Sequence, residues 1–328
     1  MIVLGYKDVQ QVLSGTETET LEVVRSAYRL HDEGRSAVPH SVFLRFPGDH
    51  RNRIIGLPAF AGGDRPVAGM KWIASFPGNV ERGLERASAA ILLNSLETGH
   101  PEALIEGSQI SARRTAASAA VAAQELVIEP PAGVTLVGAG VINLEIFRFL
   151  TVALPSIERL TVFDTDRSRA ESFIAKCQEI KQVAAQAADS LDAALAAQPL
   201  VSFATTAIEP HTDLSACRPG TVVLHISLRD LHPEAIVAAR NIVDDADHVC
   251  REGTSLFLAE QQTGGREFID APIGALLRGT AKLQRRPDEL VVYSPFGLGV
   301  LDMALADHVR VVAEQRGLGA TFDGFVPS

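Results

Sequence analysis

Val134-Thr135-Leu136-Val137-Gly138-Ala139-Gly140-Val141-Ile142-Asn143 is the stretch that decides the fold. Its first four residues are a short run suited to a buried strand. A Gly-x-Gly turn interrupts them, and a helical pattern over 144–150 follows. Strand, turn and helix in that order open a dinucleotide-binding βαβ unit. Gly138 permits the tight turn, and Gly140 lets the main chain come close to a pyrophosphate. The helix that follows, with Val141 and Ile142 at its approach as further cofactor contacts, then offers amide donors and a positive dipole end. Asn143 stands where the third glycine of the fingerprint usually sits, a position that governs helix–strand packing and tolerates small departures.

The residues downstream separate this reading from an ordinary strand–helix turn. A second strand over 160–164 ends on Asp164, where the fingerprint wants an acid for the ribose hydroxyls. A helix N-cap is the other use of an Asp there. A carboxylate repels a 2′-phosphate, so Asp164 favours NAD over NADP, although Arg167 and Arg169 soften that preference. A helix over 167–181 and strands over 200–204 and 221–226 continue the alternation. It predicts a doubly wound parallel sheet over 118–299. Thr205 and Thr206 follow the 200–204 strand at its carboxyl end, where ligands of such sheets bind. Turn chemistry ahead of Pro210 would also account for them.

The region before this sheet has a different texture. Short strands at 41–46, 53–57, 67–73 and 89–94, broken by Gly and Pro, predict an antiparallel or mixed sheet. An Ala-rich helix over 111–126 ends before Pro130-Pro131, which cannot continue it. A last helix starts at Val300, with Gly317 as its stop. The chain is therefore an α/β protein with a strand-rich α+β domain over 1–117 and a Rossmann domain over 118–299. The C-terminal helical segment, 300–328, returns to the first domain.

Composition agrees with two folded domains: 328 residues, 46% apolar and 21% charged. With 30 Lys plus Arg against 40 Asp plus Glu the formal charge is −10, which disfavours nucleic acid and anionic membranes as partners. No apolar run approaches the roughly 20 residues of a membrane helix, and Lys7 and Asp8 come too early for a signal peptide. Cys177, Cys217 and Cys250 are far apart and odd in number, which suits a reducing cytoplasm. Neither they nor the scattered histidines form a metal motif, so no metal is expected.

Against this acidic background, residues 34–71 carry Arg35, Arg45, Arg51, Arg53, Arg65 and Lys71 with only Asp49 and Asp64. Lys71 lies in Ala68-Gly-Met-Lys-Trp-Ile-Ala74. Strand alternation puts Met70 and Trp72 on one face and Lys71 on the other with Gly69 and Ile73. A partly buried ammonium needs an anion, either a substrate carboxylate or a structural acid. Arg114 raises the same question, because it shares a helix face with Ile110, Ala117 and Val121, whereas Arg113 falls on a more polar side.

Gly69-Met-Lys-Trp-Ile-Ala-Ser-Phe-Pro77, Glu106-Gly-Ser-Gln-Ile-Ser-Ala-Arg-Arg-Thr-Ala-Ala-Ser118 and Val137-Gly-Ala-Gly140 resemble the ornithine cyclodeaminase/μ-crystallin family over nearly the whole chain. Phe43-Leu-Arg-Phe-Pro47, Lys71-Trp-Ile-Ala-Ser-Phe-Pro-Gly-Asn79 and Ile226-Ser-Leu-Arg-Asp230 resemble its branch acting on N-(2-amino-2-carboxyethyl)-L-glutamate. That branch yields L-2,3-diaminopropionate for siderophores and peptide antibiotics. The resemblance implies an NAD-dependent dehydrogenase, a small amino-acid conjugate as substrate, and a homodimer formed through the substrate-binding domain. It implies that Arg45, Lys71 and Arg114 hold the substrate. It places Asp230 near the nicotinamide as a catalytic group beside Lys71, and it makes Ser227, Gly297 and Gly299 cofactor contacts. Cyclodeaminases carry an Asp-Cys-Pro-Gly-Lys-Thr-Glu-like loop, whereas this chain has Arg229-Asp-Leu-His-Pro-Glu234 without the Gly-Lys core. A cyclodeaminase, an alanine or imino-acid dehydrogenase, and a non-catalytic NAD(P)-binding protein of the μ-crystallin type are the alternatives.

Overall fold

A computed structural model describes residues 1–325, the side chain of His50 excepted. The chain divides into two compact units, one of residues 1–114 and 298–328 and one of residues 115–297. The helix Ser108–Leu126 carries the chain from the first to the second.

The first unit is built on a mixed sheet. Its strands are β1 (Ile2–Leu4), β2 (Ser36–Ala37), β3 (Val42–Phe46), β4 (Asp49–Ala61), β5 (Val67–Ser75), β6 (Ala87–Asn94) and β7 (Pro101–Glu106). The two-residue strand Ala320–Thr321 leads the order, followed by β1, β7, β6, β5, β4 and β2, with β3 also paired to β4. All pairs are antiparallel except β1 with β7. The register aligns Gly56, Trp72 and Ala90 on one face and Leu57, Lys71 and Ile91 on the other. Alternation then exposes Val42, Leu44, Met70, Trp72 and Leu104, while Leu57, Lys71, Ile91, Leu93 and Ile105 are buried. The helix Gly299–Gln315 packs on β4 and β5. Gly69 makes that approach possible, since a Cβ there would lie 3.0 Å from the Met303 sulfur and 2.1 Å from the Leu92 carbonyl oxygen.

Two helices, Tyr6–Leu13 and Glu17–Asp32, were not anticipated from the sequence. The signal is nonetheless there: Leu21, Val24, Ala27 and Tyr28 repeat at helical spacing and are buried. The run of Thr and Glu that precedes them masked it.

The second unit is a parallel sheet with the strand order β10-β9-β8-β11-β12-β15-β13-β14. Its strands are β8 (Gly133–Val137), β9 (Arg159–Phe163), β10 (Ala184–Ala187), β11 (Leu200–Phe203), β12 (Val222–His225), β13 (Arg240–Val243), β14 (Ile269–Pro272) and β15 (Val291–Ser294). Every pair is parallel, and β8, β11, β12 and β15 are buried along their whole length, as strands covered on both faces must be. The order reverses between β8 and β11, the switch point at which such sheets bind ligands. No helix among the described residues is long and apolar enough to cross a membrane.

Candidate functional site

In the second unit the turn after β8 has the geometry a dinucleotide needs. Gly138 has φ +96°, and a Cβ on it would come 2.6 Å from the Ala204 carbonyl oxygen. Only glycine fits there. Gly140 caps the helix Val141–Ala153 with no side-chain cap, and a Cβ on it would meet nothing within 4 Å. The helix terminus is thus open where a phosphate would approach. Val141 is exposed at the first turn and Ile142 is half-buried beside it. Asn143 explains why a third glycine is dispensable. Its side-chain amide donates to the carbonyls of Val137 and Gly138, both at 2.8 Å, and its oxygen accepts from Ser202 at 2.8 Å. It stitches the turn to β11 from inside the sheet.

Asp164, just past β9, accepts the Ala139 amide at 2.9 Å and the Asp166 amide at 3.0 Å. The next helix is capped by Asp166, not by Asp164. Asp164 therefore braces the glycine turn from the position where an acid meets the ribose hydroxyls. These residues fit a bound NAD: the glycines, open helix terminus and acid would hold its pyrophosphate and adenosine ribose.

Beside this turn, at the ends of β11 and β12, lies a polar cluster centred on Asp230. Its carboxylate is completely buried and accepts hydrogen bonds from the hydroxyls of Thr205 and Ser227. The His211 Nε2 lies 3.2 Å from one oxygen and the His225 Nε2 lies 3.4 Å from the other. Burial alone would raise the Asp230 carboxyl, but its bonds with His225, Ser227 and Thr205 outweigh that and hold it well below the usual carboxylate range. Burial lowers the His225 pKa against the pull of Asp230, and its Nδ1 lies 3.3 Å from Ser294 Oγ. Thr205 and Ser227 thus engage Asp230, whereas Thr206 is exposed. Gly297 (φ +94°) donates its amide to the buried Asp244 at 2.7 Å, and Phe296 does so at 2.9 Å. Burial pushes the Asp244 carboxyl up to about 6 against these bonds.

The first unit holds a buried charge cluster. Asp302, on the helix over the sheet, has one oxygen 2.7 Å from Lys71 Nζ and the other 3.0 Å from Arg114 Nε. Lys71 also donates to Ser111 Oγ at 3.1 Å. Lys71 is 1% exposed, Arg114 8% and Asp302 0%. Burial, and then the charge of Arg114, lower the Lys71 pKa to about 8 in spite of Asp302. Among the described residues these two cations share the one carboxylate, which leaves one positive charge in excess. Arg113, one residue away, turns instead to the Leu13 carbonyl and Glu17. Arg45 is exposed on the same sheet face as Lys71, its guanidinium 5.4 Å from the Phe43 ring centroid. Gly299 opens the last helix, where a Cβ would lie 3.1 Å from that of Ala59. Asp302, His211, His225 and Asp244 were not singled out by the sequence. An acid inside Val300-Leu-Asp-Met-Ala-Leu305 and a histidine inside Val222-Val-Leu-His-Ile226 were the available signals. Among the described residues no cluster could hold a metal ion.

The family model described as "Ornithine cyclodeaminase/mu-crystallin family" matches residues 2–317. N-((2S)-2-amino-2-carboxyethyl)-L-glutamate dehydrogenase of Staphylococcus aureus is 27% identical over 98% of both chains. The crystal structure of CmnK superposes with a TM-score of 0.91 at 30% identity, covering 100% of this chain and 99% of that one. The Thermococcus litoralis Δ1-pyrroline-2-carboxylate reductase, solved with NADH and L-proline, gives a TM-score of 0.91 at 24% identity, over 98% of this chain and 100% of that one. The chain belongs to the ornithine cyclodeaminase/μ-crystallin family.

Proposed function

We propose that this protein is an NAD-dependent dehydrogenase that oxidises N-(2-amino-2-carboxyethyl)-L-glutamate to 2-oxoglutarate and L-2,3-diaminopropionate. The observation that carries the reading is the buried Lys71–Asp302–Arg114 cluster with its one uncompensated positive charge. A buried excess charge calls for a counter-ion, and a substrate carboxylate supplies one. The proposed substrate has three carboxylates, and Arg45 on the same sheet face is a second cation for them. The Staphylococcus relative, similar along its full length, bears the name of this activity.

NAD, when bound, would supply the acceptor for a hydride from the glutamate α-carbon. The chain's own residues do the rest. Arg114, backed by the charge of Lys71, fixes one substrate carboxylate, and orientation of the α-hydrogen supplies much of the rate. The Gly138–Asn143 turn and Asp164 hold the dinucleotide. Proton transfer from the amine, and activation of the water that hydrolyses the imine, fall to a base in the Asp230 cluster. Three unpaired cysteines suit a reducing cytoplasm. The apolar face formed by Val42, Leu44, Met70, Trp72 and Leu104 supports a homodimer. The diamino-acid product suits the assembly of a siderophore or peptide antibiotic.

The test is product stoichiometry with purified protein. The conjugate and NAD⁺ should give NADH, 2-oxoglutarate and diaminopropionate in equal amounts, with ornithine, alanine and proline inert. Turnover of one of those three with the conjugate inert would move the chain to another branch of the family. Binding of NADH without turnover of any amine would make it a binding protein.

A further inference from the structure

We propose that His211 is the general base of the reaction, and that Asp230 is the positioning residue that holds its imidazole. This rests on the amine-oxidation reading above. Asp230 is fully buried, and both its oxygens already take hydrogen bonds. A carboxylate so enclosed has no face to offer a substrate. Lys71 is 1% exposed and committed to Asp302 and Ser111. His211 differs from both, because 39% of its side chain is exposed while its Nε2 lies 3.2 Å from Asp230 Oδ1.

The pairing is built twice. The His211 backbone amide donates to the Asp230 carbonyl at 2.8 Å, and the Thr212 amide does so at 3.1 Å. The main chain thus docks the histidine loop on the same residue whose side chain receives the imidazole. An acid that fixes one nitrogen of a histidine orients the ring, sets its tautomer and leaves the other nitrogen to exchange protons. Ser227 and Thr205 bond the carboxylate and fix it in turn.

Position supports the role. Thr205 follows Ala204, whose carbonyl packs on Gly138. The dyad therefore stands beside the glycine turn, at the carboxyl ends of β11 and β12. Asp164, just past β9, would meet the adenosine ribose, and a dinucleotide bound at the switch point would then have β11 and β12 on its other side.

The step balances as follows. The Cα–H electron pair leaves as hydride to NAD⁺, a C=N bond forms, and the amine proton passes to His211. His211 releases that proton to solvent. Water then adds to the imine carbon with one of its protons relayed through His211 to the nitrogen, and the remaining hydroxyl proton follows the same route to the leaving amine as the C–N bond breaks and the C=O bond forms. The products are the 2-oxo acid, the free amine, NADH and one proton.

Full-length His211→Ala and His211→Gln variants test this. Wild type is first assayed with the conjugate, ornithine, alanine and proline. A null result with the conjugate alone discards the proposed substrate, and the histidine test then runs on whichever amine reacts. In His211→Ala, kcat should fall roughly 100-fold or more, NADH binding read by fluorescence should hold within about twofold, and added imidazole should restore at least a tenth of the loss. A rate within about fivefold of wild type, or a loss that imidazole leaves unchanged, overturns the proposal. His211→Gln keeps a donor for Asp230 but cannot take a proton. If the Ala variant fails to bind NADH, the Gln variant decides. Its kcat should fall similarly and lose the acidic limb of the wild-type pH profile. Asp230, His225, Arg229 and His232, with Glu209 and Asp213 on the same segment, are neighbouring charged or titratable groups and remain in both variants, so a limb that persists assigns it to them and overturns the proposal.

Discussion

Asp302 holds two cations with one carboxylate, and the consequences of removing each partner differ. Arg114→Ala leaves Lys71 and Asp302 as a neutral pair, so the fold should survive. Substrate affinity should fall about 10- to 100-fold, the scale of a lost charged hydrogen bond, while NADH affinity stays constant in a fluorescence titration. Asp302→Ala leaves two buried cations facing each other, and breaking a buried pair costs about 3–5 kcal/mol, measurable by urea unfolding. Lys71 adds a pH signature. Its pKa is about 8 in the fold against an ordinary 10.5, so between those values the unfolded chain holds more protons and stability rises with pH. The stability of wild type relative to Lys71→Met should climb over that range, by about 3 kcal/mol at most. A flat difference would mean that the ammonium is not desolvated. The sequence could place Lys71 on the inner face by alternation and Arg114 on the inner side of its helix. It could not supply Asp302, because that acid meets Arg114 across 188 residues of chain.

At the scale of elements, the glycine turn makes two opposite demands. Gly138→Ala meets both a positive φ and the Ala204 carbonyl, so it should weaken the fold as well as cofactor binding. Gly140→Ala meets nothing in the protein, so thermal stability should barely change, yet its methyl group would occupy the space of the pyrophosphate. NADH affinity should drop at least about tenfold with the melting temperature held. Equal losses in both variants would show the turn to be structural only. This turn was legible because its requirements are local: a strand, two glycines and a helix within ten residues. The Asp230 cluster was less so. Asp230 itself came from the family motif, but His211 reaches it through a backbone bond that no spacing rule predicts. The N-terminal helices escaped the reading because the Thr- and Glu-rich run over 16–20 obscures the amphipathic pattern that starts at Leu21.

For the whole molecule, the exposed apolar face of the mixed sheet is the feature that solubility alone does not explain. Val42, Leu44, Met70, Trp72 and Leu104 are all more than a third exposed on one face. Leu44→Asp with Leu104→Glu should convert a dimer to a monomer in sedimentation velocity, and a wild type that sediments as a monomer would remove the homodimer from the account. The inner face of the same sheet carries Lys71, so β5 presents an apolar surface on one side and a buried charge on the other.

The central claim, that this fold draws a hydride from the α-carbon of a glutamate-derived amine, is open to a single isotope measurement. Deuterium is placed at the glutamate α-carbon of N-(2-amino-2-carboxyethyl)-L-glutamate, and the reduced cofactor is analysed by mass spectrometry after turnover. The account predicts one deuterium in the NADH and none in the 2-oxoglutarate. Deuterium retained in the organic product, or lost to water with no labelled NADH, would contradict it.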